Sequence, residues 1–425
     1  MKGALAALLV GALIALPWGP LGAATGSATG HLEGGASYTL VKNPSAPTVA
    51  LGLWFRAPAS GYDLNRVGIA DLAARTLAEE PLSGGPSLRE LVERNGGTLQ
   101  IEIAPNLMGV SIVVPRALAA QTLHALSEAY FSGTIDAKTL EQARAQTGVR
   151  AVEERFNLEN DLEEHLFRSL FVSGPLHVAV YPSSAAGLDS VDLKSLQAFV
   201  VRAFRPGNAS FSLVGDVTDS LLAQISSLGL RGSDASIDSS AGDSGKTVVV
   251  HGSSDALALG FVGPPIASRE DATALDFVAS VLLDRSLGVA GKLPPKSVAA
   301  AHFVTLHGAG VFMIFAVGKD RAKMRSTLLA DIARLRTPLS SVRFEALRRA
   351  FAYHIASSTL LPQSLADNLG WYAAAGDAQY APGLQDGAYA RSVDSLTPER
   401  VASAVRRYLV SPTIVEMNSA VKKSA

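Results

Sequence analysis

The segment GIADLAARTLAEEP, residues 68–81, carries three side chains at a spacing that metal sites use. Residues three and four positions apart lie on one face of a helix, so Asp71, Ala74 and Arg75 point in the same direction. Helical zinc sites place two ligands and a general base at such spacings. Of these three side chains only Asp71 offers a lone pair, because Ala74 has a methyl group and the guanidinium of Arg75 is permanently cationic. The spacing of a metal site is therefore present without its ligands.

No other motif in the sequence completes a catalytic centre. None of the eight histidines has another histidine four residues away, the spacing that puts two imidazoles on one helical face. His302 and His307 differ by five positions, so alternation along a strand would place them on opposite faces. The chain has no Cys, which excludes thiolate metal sites, thiol catalysis and disulfides. It also lacks the G-x-S-x-G motif of serine hydrolases and the phosphate-binding loop of P-loop proteins.

Composition and the N-terminal segment limit the class of protein. The 425 residues have a formal net charge of −1, which does not provide the positive charge of a nucleic-acid-binding protein. Lys2, the apolar run ALAALLVGALIAL and the small residues near Ala23 and Ala24 are typical of an export signal. We therefore expect a signal peptide over residues 1–24, no transmembrane anchor after cleavage, and a periplasmic protein. A retained membrane anchor is the alternative.

The elements that must position these residues follow from an internal repeat. LDSVDLKSLQAFVVRAF (188–204) is similar to VDSLTPERVASAVRRYL (393–409), and a short β-rich run follows each of them. ALGLWF (50–55) and LALGFV (257–262) are similar strand-like runs near the start of each half. RGSDASIDSSAGDSGK (231–246) is rich in Gly, Ser and Asp, which is typical of a flexible linker.

This organisation predicts an α+β fold of two homologous domains, each an antiparallel sheet with helices packed on one face. The predicted domains span residues 37–226 and 247–418, with the linker over 227–246. In the first half, hydrophobic periodicity predicts strands near 37–42, 48–55, 97–104, 108–114 and 209–215. The predicted helices span residues 66–79, 87–95, 117–131, 136–158, 159–171 and 191–204.

The order of these phrases resembles the insulinase-like zinc peptidases of family M16, which include mitochondrial processing peptidase and many periplasmic bacterial members. The resemblance rests on ALGLWFRAPAS, NRVGIADLAARTL and LRELVERNGGTLQIEI in the first half. FRPGNASFSLVGDV (204–217) and ALGFVGPP (258–265) also match typical phrases of the family. The resemblance extends from about residue 37 to residue 418. It implies the duplicated M16 fold, which is LuxS/metallohydrolase-like, and an H-x-x-E-H zinc signature on the first long helix.

The chain departs from the family at this signature. On the family's pattern, the two zinc-binding histidines fall on Asp71 and Arg75, and the glutamate general base falls on Ala74. The third ligand, a glutamate on a later helix, falls near Arg150. Two guanidinium groups beside a dication would repel it, and a methyl group cannot accept a proton from metal-bound water. The resemblance therefore implies a non-catalytic member with a degenerate signature and no cofactor of its own, the zinc being expected in a partner subunit.

Two further regions bear on this interpretation. The acidic residues near the signature have no histidine at ligand spacing, although an all-carboxylate site for a hard cation remains an alternative. These residues are Glu79, Glu80, Glu141, Glu153 and Glu154. The family's Arg and Tyr substrate clamp corresponds to DRSLGVAGKLPPKSVAAAHF (284–303), which lacks the expected block, so we expect Arg285 and Lys292 to be surface residues.

We expect Asp71 to form an ion pair with Arg75 and Arg150 in the space that a metal would occupy. The candidate peptide-binding edge strand consists of Thr98, Leu99, Gln100, Ile101, Glu102 and Ile103. The expected function is that of an inactive M16-like subunit that completes the peptide-binding chamber of a zinc-dependent periplasmic heterodimer. One alternative is a structural or binding module without a peptidase partner. The other is an active metallopeptidase with an atypical site.

Overall fold

The structure is a computed structural model that describes residues 26–32, 35–132, 134–226, 237–284, 291–384 and 386–419. The predicted signal peptide and the first part of the predicted linker, up to residue 236, lie outside the described residues. In the part of the chain that is described, no helix combines the length and the apolar character needed to cross a bilayer.

Both halves contain strands and helices. The strands are β1 Gly26–His31, β2 Ser37–Lys42, β3 Thr48–Arg56, β4 Thr98–Ile103, β5 Leu107–Pro115, β6 Phe171–Ser173, β7 Ala209–Gly215, β8 Ser240–Ala241, β9 Thr247–Gly252, β10 Ala256–Val262, β11 Val298–Thr305, β12 Gly310–Val317 and β13 Thr413–Ser419. The α-helices are α1 Ile69–Glu79, α2 Leu88–Arg94, α3 Ala119–Ser127, α4 Ala137–Phe156, α5 Leu158–Leu170, α6 Leu193–Ala203, α7 Asp219–Ser226, α8 Arg269–Val281, α9 Arg321–Arg334, α10 Ser341–Ser358, α11 Pro362–Ala375, α12 Ala388–Asp394 and α13 Pro398–Tyr408.

Short turns of other helix types connect these elements. One is a π-helical turn, Glu128–Ser132, that extends α3. The 3₁₀ turns are Arg116–Leu118, Pro175–His177, Ala185–Ser190, Pro206–Asn208 and Ala378–Tyr380.

The two large sheets repeat one strand order, which confirms the predicted fold class. The first sheet has the order β1-β2-β7-β3-β5-β4. The second sheet has the order β9-β13-β10-β12-β11, which matches the order of the first from β2 onward. Most neighbouring strands are antiparallel, as expected, but β2–β7 and β9–β13 are parallel pairs. In the first sheet, the parallel pair arises because β7 inserts between β2 and β3. Since β9, β10, β11, β12 and β13 take the places of β2, β3, β4, β5 and β7, the second half repeats the first.

The last part of the predicted linker is attached to the first half. Ser240 and Ala241 form the two-residue strand β8, which pairs with β6. The N–H of Gly242 also donates a hydrogen bond of 2.8 Å to the carbonyl of Leu170. These backbone bonds give residues 240–242 a defined position that their Gly, Ser and Asp composition did not predict.

The central strand β3 is apolar on both faces. Leu51, Leu53 and Phe55 belong to the core formed with the helices of the first half. Ala50 and Trp54 alternate with them and therefore point to the opposite face, where they meet residues of the second half. A strand that is buried on both faces needs a cover on each of them.

Each half supplies the missing cover for the other half's sheet. Helix α11, from the second half, packs on β3, β5 and β7 of the first sheet, and α5, from the first half, packs on β10 and β13 of the second. The expected helices are present on one face of each sheet. The other face is covered by the helix from the opposite half, so we call α5 and α11 the exchanged helices. The two halves are consequently joined by two apolar interfaces of the same kind.

Glycines allow the exchanged helices to approach the strands closely. Trp54 is 1% exposed and lies against Gly370 of α11, where a Cβ atom would overlap the indole ring. Trp371, the next residue of α11, contacts Trp54 edge to face with 5.5 Å between ring centroids. In the second interface the large residue is on the helix, because Leu166 of α5 lies over Gly260 of β10.

We predict that Gly370→Ala lowers the free energy of unfolding by about 1 to 3 kcal/mol, because the added methyl group overpacks the Trp54 slot. Alanine is otherwise the better helix former and would raise the free energy of unfolding, so the sign of the change distinguishes packing from helix propensity. Gly84→Ala is the control, since a Cβ at Gly84 meets no atom within 4 Å, and it should change stability by less than about 1 kcal/mol. Denaturant unfolding measures both variants, and an equal or higher stability of Gly370→Ala would contradict the packing role.

Candidate functional site

Helix α1 is enclosed at its start by the first half. It begins at Ile69, after Gly68, whose φ of 84° is in the region that favours glycine. A Cβ at Gly68 would lie 2.8 Å from the side chain of Leu188, so the close approach also requires glycine. As a result the inner face of α1 is dry, and Asp71 and Ala74 are both fully buried.

Asp71 and Arg75 form a buried ion pair along this helix. Arg75 Nε donates a hydrogen bond of 2.8 Å to Asp71 Oδ1, as expected for residues four positions apart. The side chain of Asp71 is 1% exposed and that of Arg75 is 13% exposed. Burial raises the pKa of Asp71, whereas the positive charges of Arg75 and Arg150 act in the opposite direction.

Arg150 approaches this pair from α4, which packs against α1. Its direct ion pair is with Glu154, one turn further along α4, at 3.5 Å between Nη2 and Oε1. Arg150 Nη2 also lies 3.5 Å from the carbonyl oxygen of Ile101. Burial lowers the pKa of Arg150, but the negative charge of Asp71 and the interaction with Tyr181 act in the opposite direction, and this pKa is raised overall. The expected ion pair of Asp71 with Arg75 is present, whereas Arg150 forms its ion pair with Glu154 and acts on Asp71 only through its charge.

The residues at these positions do not fit a zinc ion. Asp71 is the one lone-pair donor among Asp71, Ala74, Arg75 and Arg150, and its Oδ1 atom is already bound to Arg75. Within the described ranges, no group of three or more His, Asp or Glu side chains is arranged to hold a metal ion. The interpretation of this ion pair as a replacement for a metal remains a prediction.

Some polar atoms in this buried cluster have no hydrogen-bond partner in the described part of the chain. They are Asp71 Oδ2, Arg75 Nη2 and Arg150 Nε. Buried groups of this kind are costly unless charge compensates for the missing bonds. The opposite charges of Asp71 and the two arginines supply that compensation.

Strand β4 lies at the open edge of the first sheet, beside this cluster. Its bounds, Thr98–Ile103, are those of the candidate edge strand. The N–H of Ala104 bonds the carbonyl of Leu107 at 2.8 Å, which makes this pair a hydrogen-bonded one. Because such pairs alternate along an antiparallel ladder, the backbone groups of Leu99, Ile101 and Ile103 face the open edge.

Comparison with known proteins identifies the fold but not a sequence family. No family model matches the chain, and no curated protein matches it. A protease from Helicobacter pylori is similar in structure, with a TM-score of 0.76 and 18% identity over 92% of this chain and 99% of that one. An M16 inactive domain from Pseudomonas fluorescens gives a TM-score of 0.75 and 20% identity over 94% and 100% of the two chains. A protein of Alicyclobacillus acidocaldarius named as M16-like gives 0.72 and 13%, over 93% and 98%.

The chain has an M16-like peptidase fold. This finding agrees with the resemblance seen in the sequence and extends over nearly the whole described chain. At 13–20% identity it establishes the fold alone.

The M16-like fold also brings second-half residues to β4 that the sequence pattern did not reveal. Gln363 Nε2 donates a hydrogen bond of 2.9 Å to Gln100 Oε1, and the hydroxyl of Ser111 donates to Asp367. Desolvation, followed by the negative charge of Asp367, raises the pKa of Glu102. In the sequence, the only indication that these two residues share a face is that Gln363 and Asp367 lie four positions apart on the mainly apolar helix α11.

Other predicted positions lie away from the Asp71–Arg75 pair or outside the described residues. Glu79 forms an ion pair with Arg89, and Glu80 accepts a 3.2 Å hydrogen bond from the N–H of Asp136. Arg285 falls outside the described residues, whereas Lys292 is exposed, as expected.

We predict that Asp71→Ala lowers the free energy of unfolding by about 3 to 5 kcal/mol, because it leaves the Arg75 guanidinium buried without its partner. Replacing both members, in Asp71→Leu/Arg75→Met, should recover most of that loss, since neither charge is then buried. The control is Glu90→Ala in the exposed pair with Arg94, which should cost less than about 1 kcal/mol. Denaturant unfolding provides the double-mutant cycle, and a double variant as unstable as Asp71→Ala would refute the coupling.

Proposed function

We propose that this protein is a catalytically inactive M16-like subunit that completes the peptide-binding chamber of a zinc-dependent periplasmic peptidase. The observation that carries the proposal is the buried Asp71–Arg75 pair, with Arg150 beside it, at the positions where the M16 resemblance expects zinc ligands. Support also comes from the shared fold, which occurs both in a protease and in an M16 inactive domain.

The chemistry of this cluster opposes hydrolysis by the chain alone. A zinc-dependent peptidase needs a metal-bound water and a base to take its proton. Ala74 cannot act as that base, and two arginines disfavour a divalent cation in the same space. In the proposed complex the partner subunit carries the zinc and the general base, and this chain carries neither.

The contribution of this chain to the chamber is a surface for extended peptides. Strand β4 is the edge strand of the first sheet, and the backbone groups of Leu99 and Ile103 can pair with an added strand. The Ile101 carbonyl accepts a long hydrogen bond from Arg150, which a bound peptide would replace. Thr98, Gln100 and Glu102 alternate with these three residues and are exposed, so they would contact the peptide's side chains. The negative Glu102 and the positive Arg150 next to it would influence which peptides bind.

A second candidate is a structural module that binds no peptide and has no peptidase partner. Contacts that partly cover β4 favour it: Arg150 lies at the Ile101 carbonyl, and Gln363 holds the Gln100 side chain. In that case the exchanged helices would serve stability alone. The predicted N-terminal export signal supports a periplasmic location under both proposals.

Affinity capture of the tagged chain from the periplasm of its native host, with metal analysis, tests the proposal. We expect a zinc-bearing M16 peptidase to co-purify, with one zinc per heterodimer and none in the isolated chain. The isolated chain should not cleave an unfolded peptide, whereas the complex should. Capture without a zinc peptidase would favour the structural module. Stoichiometric zinc and peptide cleavage by the isolated chain would refute an inactive subunit.

Ile103→Pro tests the peptide edge within the captured complex. Proline removes an N–H that faces the open edge, so it should weaken binding of an extended fluorescent peptide while leaving the β4–β5 ladder intact. Loss of one backbone hydrogen bond should reduce affinity about five- to tenfold. Ile103→Val keeps the N–H and serves as the control. Equal peptide affinity of the two variants would show that peptides do not pair with β4.

A further inference from the structure

The second half has a cavity of about 370 Å³ at the open edge of its own sheet. The edge strand is β11, and its neighbour β12 and the helices α5, α8 and α10 contribute the remaining walls. Strand β11 takes the place of β4 in the repeated strand order, so the cavity is the second half's counterpart of the region around Asp71 and Arg75. The side chains that line this cavity nevertheless differ in charge from those around Asp71 and Arg75.

Carboxylates from α5 form one end of this cavity. Glu159 and Glu163 lie one turn apart, and both line the cavity. Glu159 Oε1 lies 3.3 Å from His302 Nε2 of β11, whereas Glu163 has no hydrogen bond or ion pair in the described part of the chain. Burial, followed by the Glu159 charge, raises the pKa of Glu163 to about 7. Glu163 is thus a largely enclosed carboxyl group that lacks a cationic partner.

A third carboxylate, Asp276 of α8, forms the other end. The hydroxyl of Tyr389 donates a hydrogen bond to Asp276, and His354 of α10 is near enough to act on it by charge. Burial raises the pKa of Asp276 to about 6, against the effects of Tyr389 and His354. Helices α5 and α8 pack against alternate residues of β10 and therefore lie on opposite faces of the second sheet. Asp276 and the α5 carboxylates consequently reach the cavity from opposite sides of the sheet edge.

The wall between these ends is apolar. It includes the rings of Phe303 and Phe351 and the side chains of Met313 and Ile355. No Lys or Arg is among the residues that line the cavity. Aromatic faces and carboxylates together attract an organic cation, because the rings and the acids both favour positive charge beside an apolar chain.

We propose that this cavity binds a linear aliphatic diamine, with one ammonium group at Glu159 and Glu163 and the other at Asp276. The methylene chain of the ligand lies along Phe303 and Phe351. A metal ion does not fit the same features, since no group of three ligating side chains in the described ranges is arranged to hold one. The separation of the carboxylates into two ends selects a diamine over a monoamine. This inference does not depend on the proposed peptidase partnership.

Isothermal titration of the full chain at pH 8 with diamines from 1,3-diaminopropane to 1,6-diaminohexane tests the proposal. We expect one ligand per chain, with the tightest binding at one chain length. Pentylamine, which has a single ammonium group, should bind at least about tenfold more weakly than the best diamine. Absence of saturable diamine binding would overturn the proposal. A lysine-containing pentapeptide that binds more tightly than every diamine would also overturn it, by assigning the cavity to peptide side chains.

Matched variants locate the binding site. Glu163→Gln has nearly the same shape as the native residue and should reduce diamine affinity about tenfold or more. Glu159→Gln, at a partly exposed position, gives a second test in case burial makes the first variant unstable. The control is Glu153→Gln, which removes the same charge from an exposed position outside the cavity and should leave the affinity unchanged. Equal affinity of the Glu163 and Glu153 variants would place any binding elsewhere.

Discussion

Strands β3 and β10 are apolar on both faces, and the helices of one half can cover only one of these faces. Exposed apolar strands would be costly, so the opposite face of each must be buried by something else. Each half supplies the cover for the other half: α11 of the second half packs on the first sheet, and α5 of the first half packs on the second sheet. The fit of Trp54 against Gly370, and of Leu166 against Gly260, fixes the depth at which the exchanged helices sit.

The exchange also decides which polar residues meet. The polar positions of α11 bring Gln363 and Asp367 to the edge strand β4, and those of α5 bring Glu159 and Glu163 to β11. Both sheet edges therefore combine side chains from the two halves. A change in the apolar contact between the halves would move these polar groups as well, which links the stability of the fold to the properties of both edges.

The two related edges differ chiefly in electrostatics. The region beside β4 contains a fully buried carboxylate that Arg75 compensates, with Arg150 nearby. The cavity beside β11 has carboxylates and no lining Lys or Arg. A shared backbone arrangement thus supports a closed ion pair in one half and an acidic cavity in the other. Because charge depends on a few side chains and the fold on many apolar ones, these properties can diverge while the architecture is kept.

The sequence by itself determined the α+β fold of two similar halves, the bounds of β4, and the pairing of Asp71 with Arg75, because strand alternation and helical spacing are local properties. Only the tertiary structure decided the exchange of α5 and α11, the parallel pairs β2–β7 and β9–β13, and the meeting of Glu102 with Asp367. These features join residues far apart in the chain through packing, which periodicity does not encode. The sequence thus predicted the spacing of Asp71, Ala74 and Arg75, whereas the full burial of Asp71 and its position relative to Arg150 depend on the fold.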